Sequence, residues 1–145
     1  MSATNAFETA ILALFFNNTN AANIGDATGV RGSTTAGVFY VSLHTVDPGE
    51  AGTQSTSEAN YTGYARVSVA RSGAGWTVTG NTGTNAAAVT FGAATAGSST
   101  VTHFGIGTDA SGAGNLLFKG TTGSLAVTSG ITPSFAAGQL SVTAD

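Results

Sequence analysis

Two histidines and a large stock of serines are the residues in this chain that invite catalytic chemistry. His44 stands close to Asp47, and a serine, a histidine and a carboxylate are the parts of a hydrolytic triad. The Gly-x-Ser-x-Gly elbow that presents such a serine in esterases is absent. His44 and His103 also fall inside runs that read as strands, so both are expected to be structural or interface residues. Metal chemistry has even less to work with. There is no Cys, no His-Glu-x-x-His and no Asp series with calcium-loop spacing. Asp47 and Glu50 could share a hard cation with loop carbonyls, although a solvated turn is the simpler reading. The glycines of Gly105-Ile106-Gly107 and Gly112-Ala113-Gly114 do not make G-x-G-x-x-G, and no helix pattern follows them. A phosphate cradle needs that helix N-terminus, so these glycines read as strand-end and turn positions. Paired carboxylates for glycoside hydrolysis are hard to place, because the acidic residues sit in a helix cap, in loops or at the terminus. Tyr40, Tyr61, Tyr64 and Trp76 remain as either a receptor-binding platform or simple packing. No catalytic, cofactor-binding or metal site is expected.

The composition points away from chemistry as well. Of 145 residues only 8% are charged, against about 25% in ordinary globular domains. Four basic residues, Arg31, Arg66, Arg71 and Lys119, cannot build the phosphate-neutralising face that duplex binding demands. Nucleic acid is therefore excluded as a partner. Ala, Gly, Thr and Ser make up more than half the chain, so its surface is neutral and hydroxyl-bearing. Such a surface guards poorly against self-association and suits a protein packed against others. The N-terminus carries no basic segment ahead of a long apolar run, so no signal peptide is expected. The apolar stretch Ala10 to Phe16 is far short of the roughly 20 residues that span a bilayer. No membrane partner is expected.

The elements that must position these residues are mostly strands. One helix is expected over about residues 5–16, with Phe7, Ile11, Leu14 and Phe15 as its apolar stripe. Asn5 and Glu8 have the spacing of an N-cap and its back-reaching partner, and Asn17-Asn18-Thr19-Asn20 should stop the helix. Such a helix either covers one end of a β core or docks its stripe on a neighbouring subunit. Residues 17–36 read as a long loop, aperiodic from 20 onward, and loops of that length are usually functional or mobile. Short alternating runs follow: Val38 to Thr45, Tyr64 to Ala70, Gly75 to Thr79, Ala87 to Phe91, Thr100 to Ile106, Leu116 to Lys119, Leu125 to Thr128 and Leu140 to Thr143. Asp47-Pro48-Gly49 is a turn, since Pro presets φ and Gly tolerates a positive one. Glu50 to Asn60 reads as a surface loop. This is an all-β reading: an antiparallel, jelly-roll-like β-sandwich of about eight short strands with one N-terminal helix. Residues 1–145 are taken as a single domain, with the sandwich over 37–145. Phe39, Val41, Leu43, Val67, Val69, Val89 and Phe91 are its expected core.

Several stretches together are similar to a family of small structural proteins of tailed-bacteriophage virions. Phe39-Tyr40-Val41-Ser42-Leu43-His44-Thr45-Val46-Asp47-Pro48 resembles that family's strand and turn, and Gly63-Tyr64-Ala65-Arg66-Val67 its next strand. Ala87 to Phe91, Thr102-His103-Phe104-Gly105-Ile106 and Gly114-Asn115-Leu116-Leu117 follow in the family's order, and Phe135 to Thr143 matches its last strand. Asn5, Phe7, Glu8, Leu12 and Phe16 carry the opening helix pattern. Relatives are labelled capsid cement (decoration) proteins or tail-fibre proteins, and none has enzymatic residues to carry over. The resemblance implies a cement protein on the outer surface of the capsid, with the major capsid protein as partner. A tail-fibre or tail-associated protein meeting the host surface is the alternative. A homo-oligomer is expected, a dimer before a trimer, with no cofactor. Phe7, Ile11, Leu14 and Phe15 are the candidate capsid contacts, with the 20–36 loop beside them. Thr- and Val-rich sheet edges without Lys offer strand pairing as a second route.

Overall fold

The computed structural model describes residues 3–21, 32 and 34–144. Arg31, Asp26 and most of the expected 20–36 contact loop lie outside the described residues. The elements run α1 (Asn5–Asn17), β1 (Val38–His44), β2 (Val67–Ala70), β3 (Trp76–Thr79), β4 (Thr82–Asn85), β5 (Val89–Thr90), β6 (Ser99–Gly107), β7 (Leu116–Val127), β8 (Ser134–Phe135) and β9 (Ser141–Thr143). The chain is mostly β with one N-terminal helix, as expected. Its sheets have the orders β2-β1-β6-β7, β3-β4-β9 and β5-β8. The ladders β1/β6, β6/β7, β3/β4, β4/β9 and β5/β8 are antiparallel. These pairings do not assemble the two four-stranded sheets of a jelly roll.

The residues divide into two compact units. One holds α1, β3, β4 and β9. In it the helix buries Glu8, Leu12 and Phe16, spaced i, i+4, i+8 along one face. Phe16 meets Trp76 with ring centroids 4.6 Å apart, and Gly83 lies under the same ring, where a Cβ would come within 3.0 Å of Phe16 Cδ2. The expected stripe therefore looks outward: Phe7 is 45% and Phe15 39% exposed. A shift of one residue in phase separates the two stripes, and only the packing against Trp76 and Gly83 selects between them. The N-cap is Thr4 rather than Asn5, and it makes no side-chain cap bond. At the other end the asparagines do stop the helix, through Asn18 in the left-handed region (φ 55°, ψ 29°). The Arg71 guanidinium completes that end, donating to the carbonyls of Phe15 (2.7 Å) and Leu14 (2.9 Å), where a cation suits the helix dipole.

The sheet face opposite Trp76 is a grid of hydroxyls. Thr77 pairs with Thr84 and Thr79 with Thr82, and Thr84 and Thr82 pair in turn with Ser141 and Thr143. β4 was not anticipated, although Thr79-Gly80-Asn81-Thr82 carries the Gly-Asn signature of a two-residue hairpin. Gly80 has the positive φ (58°) that the first position of a type II′ turn requires. Buried Asn85 ties this sheet to the following chain. Its Nδ2 donates to the Ala87 and Ala136 carbonyls, and its Oδ1 accepts from the Leu140 N–H.

The other unit comprises residues 39–69 and 89–135, and so contains most of the β2-β1-β6-β7 sheet. Phe39, Val41, Leu43, Val69, Val89 and Phe91 are core, as expected; Val67 is only half-buried. β2 begins at Val67, three residues later than expected, and Arg66 before it is the buried residue. β1 buries both faces from Val41 to His44, so its polar face of Ser42 and His44 is as enclosed as its apolar one. β7 joins two expected strands into one of 12 residues. Gly120 to Ser124 lacks the apolar alternation that marks a strand, yet its backbone stays at the sheet. The β6/β7 register breaks between Val101 and His103, and Gly123 (φ 73°) lies in that interruption on β7. A second break lies between Ile106 and Gly107. β7 is a sheet edge carrying Lys119 and two register breaks, the devices that discourage strand addition. The expectation of unprotected edges is corrected on that strand.

Candidate functional site

Ser42 and His44 point the same way from β1, two residues apart, and Ser42 Oγ lies 2.8 Å from His44 Nε2. His44 Nδ1 lies 2.8 Å from the Thr56 carbonyl oxygen. A carbonyl only accepts, so Nδ1 carries the proton and Nε2 receives the Ser42 hydroxyl proton. Burial, the dominant influence, lowers the His44 pKa and keeps the ring neutral. The pair has the distance of a catalytic Ser–His couple, but it lacks the setting. Its third member is a backbone carbonyl, both residues are fully buried, and Gly105 seals the pair off. A Cβ at Gly105 would lie 2.7 Å from both Ser42 Oγ and His44 Nε2, and 2.6 Å from Leu116 Cδ1. No substrate atom fits where a methyl group does not.

Asp47 does not turn toward His44. It accepts the Gly49 N–H (2.8 Å) within its own turn and pairs with Lys119 Nζ at 3.1 Å. Glu50 reaches the same ammonium at 3.1 Å. The cation that Asp47 and Glu50 share is therefore Lys119. The turn amide and this ammonium draw the Asp47 carboxyl below the usual aspartate range, and the two carboxylates raise Lys119. His103 lies directly across from His44 in the β1/β6 ladder, with its Nδ1 2.9 Å from Thr102 Oγ1. The imagined triad is not assembled. Among the described residues, no group of three or more His, Asp or Glu gathers to hold a metal ion.

The aromatic residues do not form a platform either. Trp76 is fully buried against Phe16 in its unit. Tyr61 and Tyr64 open a chain of ring contacts in the other unit that runs through Phe91 and Phe135 to Phe104, with centroids 5.5–6.1 Å apart.

The strongest polar construction was not legible in the sequence. Arg66, with its side chain 2% exposed, grips Glu58 through Nε–Oε1 and Nη2–Oε2 bonds of 2.7 Å each. Tyr64 donates its hydroxyl to Glu58 Oε1 (2.7 Å) and accepts the Leu43 N–H (3.1 Å). Burial and this carboxylate raise the Tyr64 pKa, and the hydrogen bonds that Arg66 donates to Glu58 raise that of Arg66. Two more guanidinium protons go to the carbonyls of Asp109 (2.9 Å) and Gly112 (2.7 Å), in the loop between β6 and β7. Fully buried Gln54 holds the same loop. Its N–H donates to the Ala113 carbonyl, and its Oε1 accepts the Asp109 N–H. Gly107 and Gly114 make room for it, since a Cβ on either would come within 2.5 Å of the Gln54 side chain. Glu50 to Asn60 is thus no mere surface loop: it delivers Gln54 and Glu58 to the interior. The sole sequence signal was two polar residues inside a stretch that read as solvated.

The residues expected to touch a partner are open in part. Phe7 and Phe15 are exposed, Ile11 and Leu14 half-buried, and the helix buries its other face. A family model described as "Podophage GP4 fiber I protein gp80" matches residues 2–143. The chain belongs to this family. Fiber I membership makes it a phage structural protein and a virion component. The resemblance to phage virion proteins is upheld at that level, and the family named is one of fibres rather than of capsid cement. No curated protein matches the chain.

Proposed function

We propose that the chain is a structural subunit of a podophage tail fibre or fibre-attachment assembly, without enzymatic activity. The observation that carries this reading is the fiber I family match over residues 2–143. It favours the fibre alternative over capsid cement, and no feature of the structure favours cement in return. The physical reading agrees. A neutral surface, a buried Ser–His pair and a hydroxyl grid on one sheet suit a molecule that packs, not one that turns over substrate. The outward helix stripe of Phe7, Ile11, Leu14 and Phe15 is the proposed contact with a neighbouring virion protein. Its role is to bind the assembled particle and stabilise it by mass action. Self-association into a homo-oligomer, with the dimer favoured, is part of the same proposal.

Immunogold labelling of intact virions tests the placement. Label confined to the tail, with few copies per particle by quantitative gel, is the expected outcome. Label spread over the head at high copy number would overturn the fibre reading and restore capsid cement.

A further inference from the structure

Residues 45–59 lie as a strap on the polar face of the β1/β6/β7 ladders, within one of the two compact units. Ser42, His44, His103, Gly105 and Lys119 share that face, because Ser42 pairs with Gly105, Gly105 with Lys119, and His44 with His103. Four polar pins hold the strap. Asp47 and Glu50 reach Lys119, and Gln54 fills the space left by Gly107 and Gly114. The Thr56 carbonyl accepts the His44 Nδ1 proton, and Glu58 is gripped by Arg66. Backbone bonds run beside the last two pins, from the Thr45 N–H to the Ser57 carbonyl and from the Ala59 N–H to the Leu43 carbonyl, 2.8 Å each. Ser57, between those pins, sits at φ 53°, a left-handed conformation that residues with a side chain rarely keep without strain. Polar pins also differ from apolar ones on release, since the freed groups recover hydrogen bonds and charge solvation from water.

His44 is the pin that protons control. Neutral, it satisfies both neighbours, donating from Nδ1 to Thr56 and accepting at Nε2 from Ser42. Charged, it has two donors, and the Ser42 hydroxyl loses its acceptor. The surroundings oppose that charge. Burial works against it first, Arg66 and His103 across the ladder repel it, and Glu58 attracts it. Lys119 on the same face is already matched by Asp47 and Glu50, and Tyr64 spends its proton on Glu58. We propose that the 45–59 strap is an acid release: uncharged His44 keeps it shut at neutral pH, and charging His44 opposite His103 frees it while the strands beneath stay paired. The release reaches a second segment. Gln54 on the strap fixes the Asp109 and Ala113 backbone, and Arg66, oriented by Glu58, fixes the Asp109 and Gly112 carbonyls. The loop at 108–115 therefore loosens with the strap. Ordinary carboxylates do not titrate between pH 7.5 and 5.5, and Asp47 is drawn lower still, so in that window the side chains that change charge are histidines. The device belongs to the chain itself and does not depend on its place in the virion.

Hydrogen–deuterium exchange of the natural protein, corrected for the pH dependence of intrinsic exchange, reads the release directly. Between pH 7.5 and 5.5, protection of 45–59 and 108–115 should fall several-fold, toward the roughly tenfold limit that one histidine proton permits over this interval. Peptides from β3 and β4 should keep their protection. Protection independent of pH would overturn the proposal. An equal fall in every peptide would also overturn it, because the whole chain would then be loosening. His44→Gln cannot take up the proton and should abolish the fall; a fall of natural size in that variant would show another group in control. His103→Gln leaves every pin in place and carries the test where His44→Gln does not fold. By removing a repelling neighbour it should shrink the fall without abolishing it. An unaltered fall in folded His103→Gln protein would overturn the two-histidine arrangement.

Discussion

Arg66 and His44 are both buried polar residues, yet their stabilities respond to different variables. Arg66 stays charged, so removing its partner strands a cation in the core. Glu58→Ala is expected to cost about 3–5 kcal/mol, the usual penalty for breaking a buried pair from one side, read from urea midpoints. The double change Glu58→Leu with Arg66→Met should cost less than its two singles together, because no charge is left behind. His44 is held neutral by burial, with its pKa below the ordinary value. The unfolded chain therefore binds a proton more readily, from about pH 6.5 downward. His44's contribution is complete above that pH and is lost as pH falls toward the lowered folded value. Thermal melts at successive pH values should show this fall, and His44→Gln should flatten it. Gly105→Ala tests the seal over Ser42 and His44. Its methyl group meets three side-chain atoms at 2.6–2.7 Å, and overpacking of that kind typically costs about 1–3 kcal/mol.

The helix separates stability from contact along its two faces. Phe16 is fully buried against Trp76 and Gly83, so Phe16→Ala should cost about 3–5 kcal/mol. Phe7 is 45% exposed, and Phe7→Ala should change unfolding by no more than about 0.5 kcal/mol. In virions the order should reverse, with folded Phe7→Ala protein incorporated poorly. Wild-type incorporation of that variant would remove the outward stripe from the proposed contact. The strands differ in how well they announced themselves. β1 and β6 alternate β-branched and aromatic residues and were legible. β4, as Thr-Gly-Thr-Asn, and β8, as Ser-Phe, carry little hydrophobic pattern and are strands only because neighbouring chain pairs with them.

For the assembled particle, the charge inventory sets the expectation. Four basic and seven acidic residues serve the whole chain. The described pairs are already satisfied internally, as Arg66 with Glu58 and Lys119 with Asp47 and Glu50. Attachment should therefore depend on apolar and backbone contacts. At 1 M salt the Debye length is about 3 Å, while apolar burial, worth roughly 25 cal/mol per Å², is not screened. Virions washed in 1 M NaCl should keep the protein, whereas urea should strip it before the particle breaks. Release by salt alone would show that ion pairs hold it.

Composition and alternation were enough to establish a sparsely charged, antiparallel β protein with an N-terminal helix. These properties follow from residue type and local period, which are written along the chain. The family likeness was legible for the same reason, as ordered short motifs. Tertiary structure decided what depends on residues far apart in sequence. It chose Leu12 and Phe16 over Phe7 and Phe15 as the buried face, because Trp76 and Gly83 come to meet them. It closed the space over Ser42 and His44, neighbours on one face of β1, with Gly105, some sixty residues on. It brought Glu58 and Arg66 together under a loop at 108–115 that nothing local connects to either. A buried charge is tolerable only when distant groups supply its hydrogen bonds, and where those groups converge is a property of the fold.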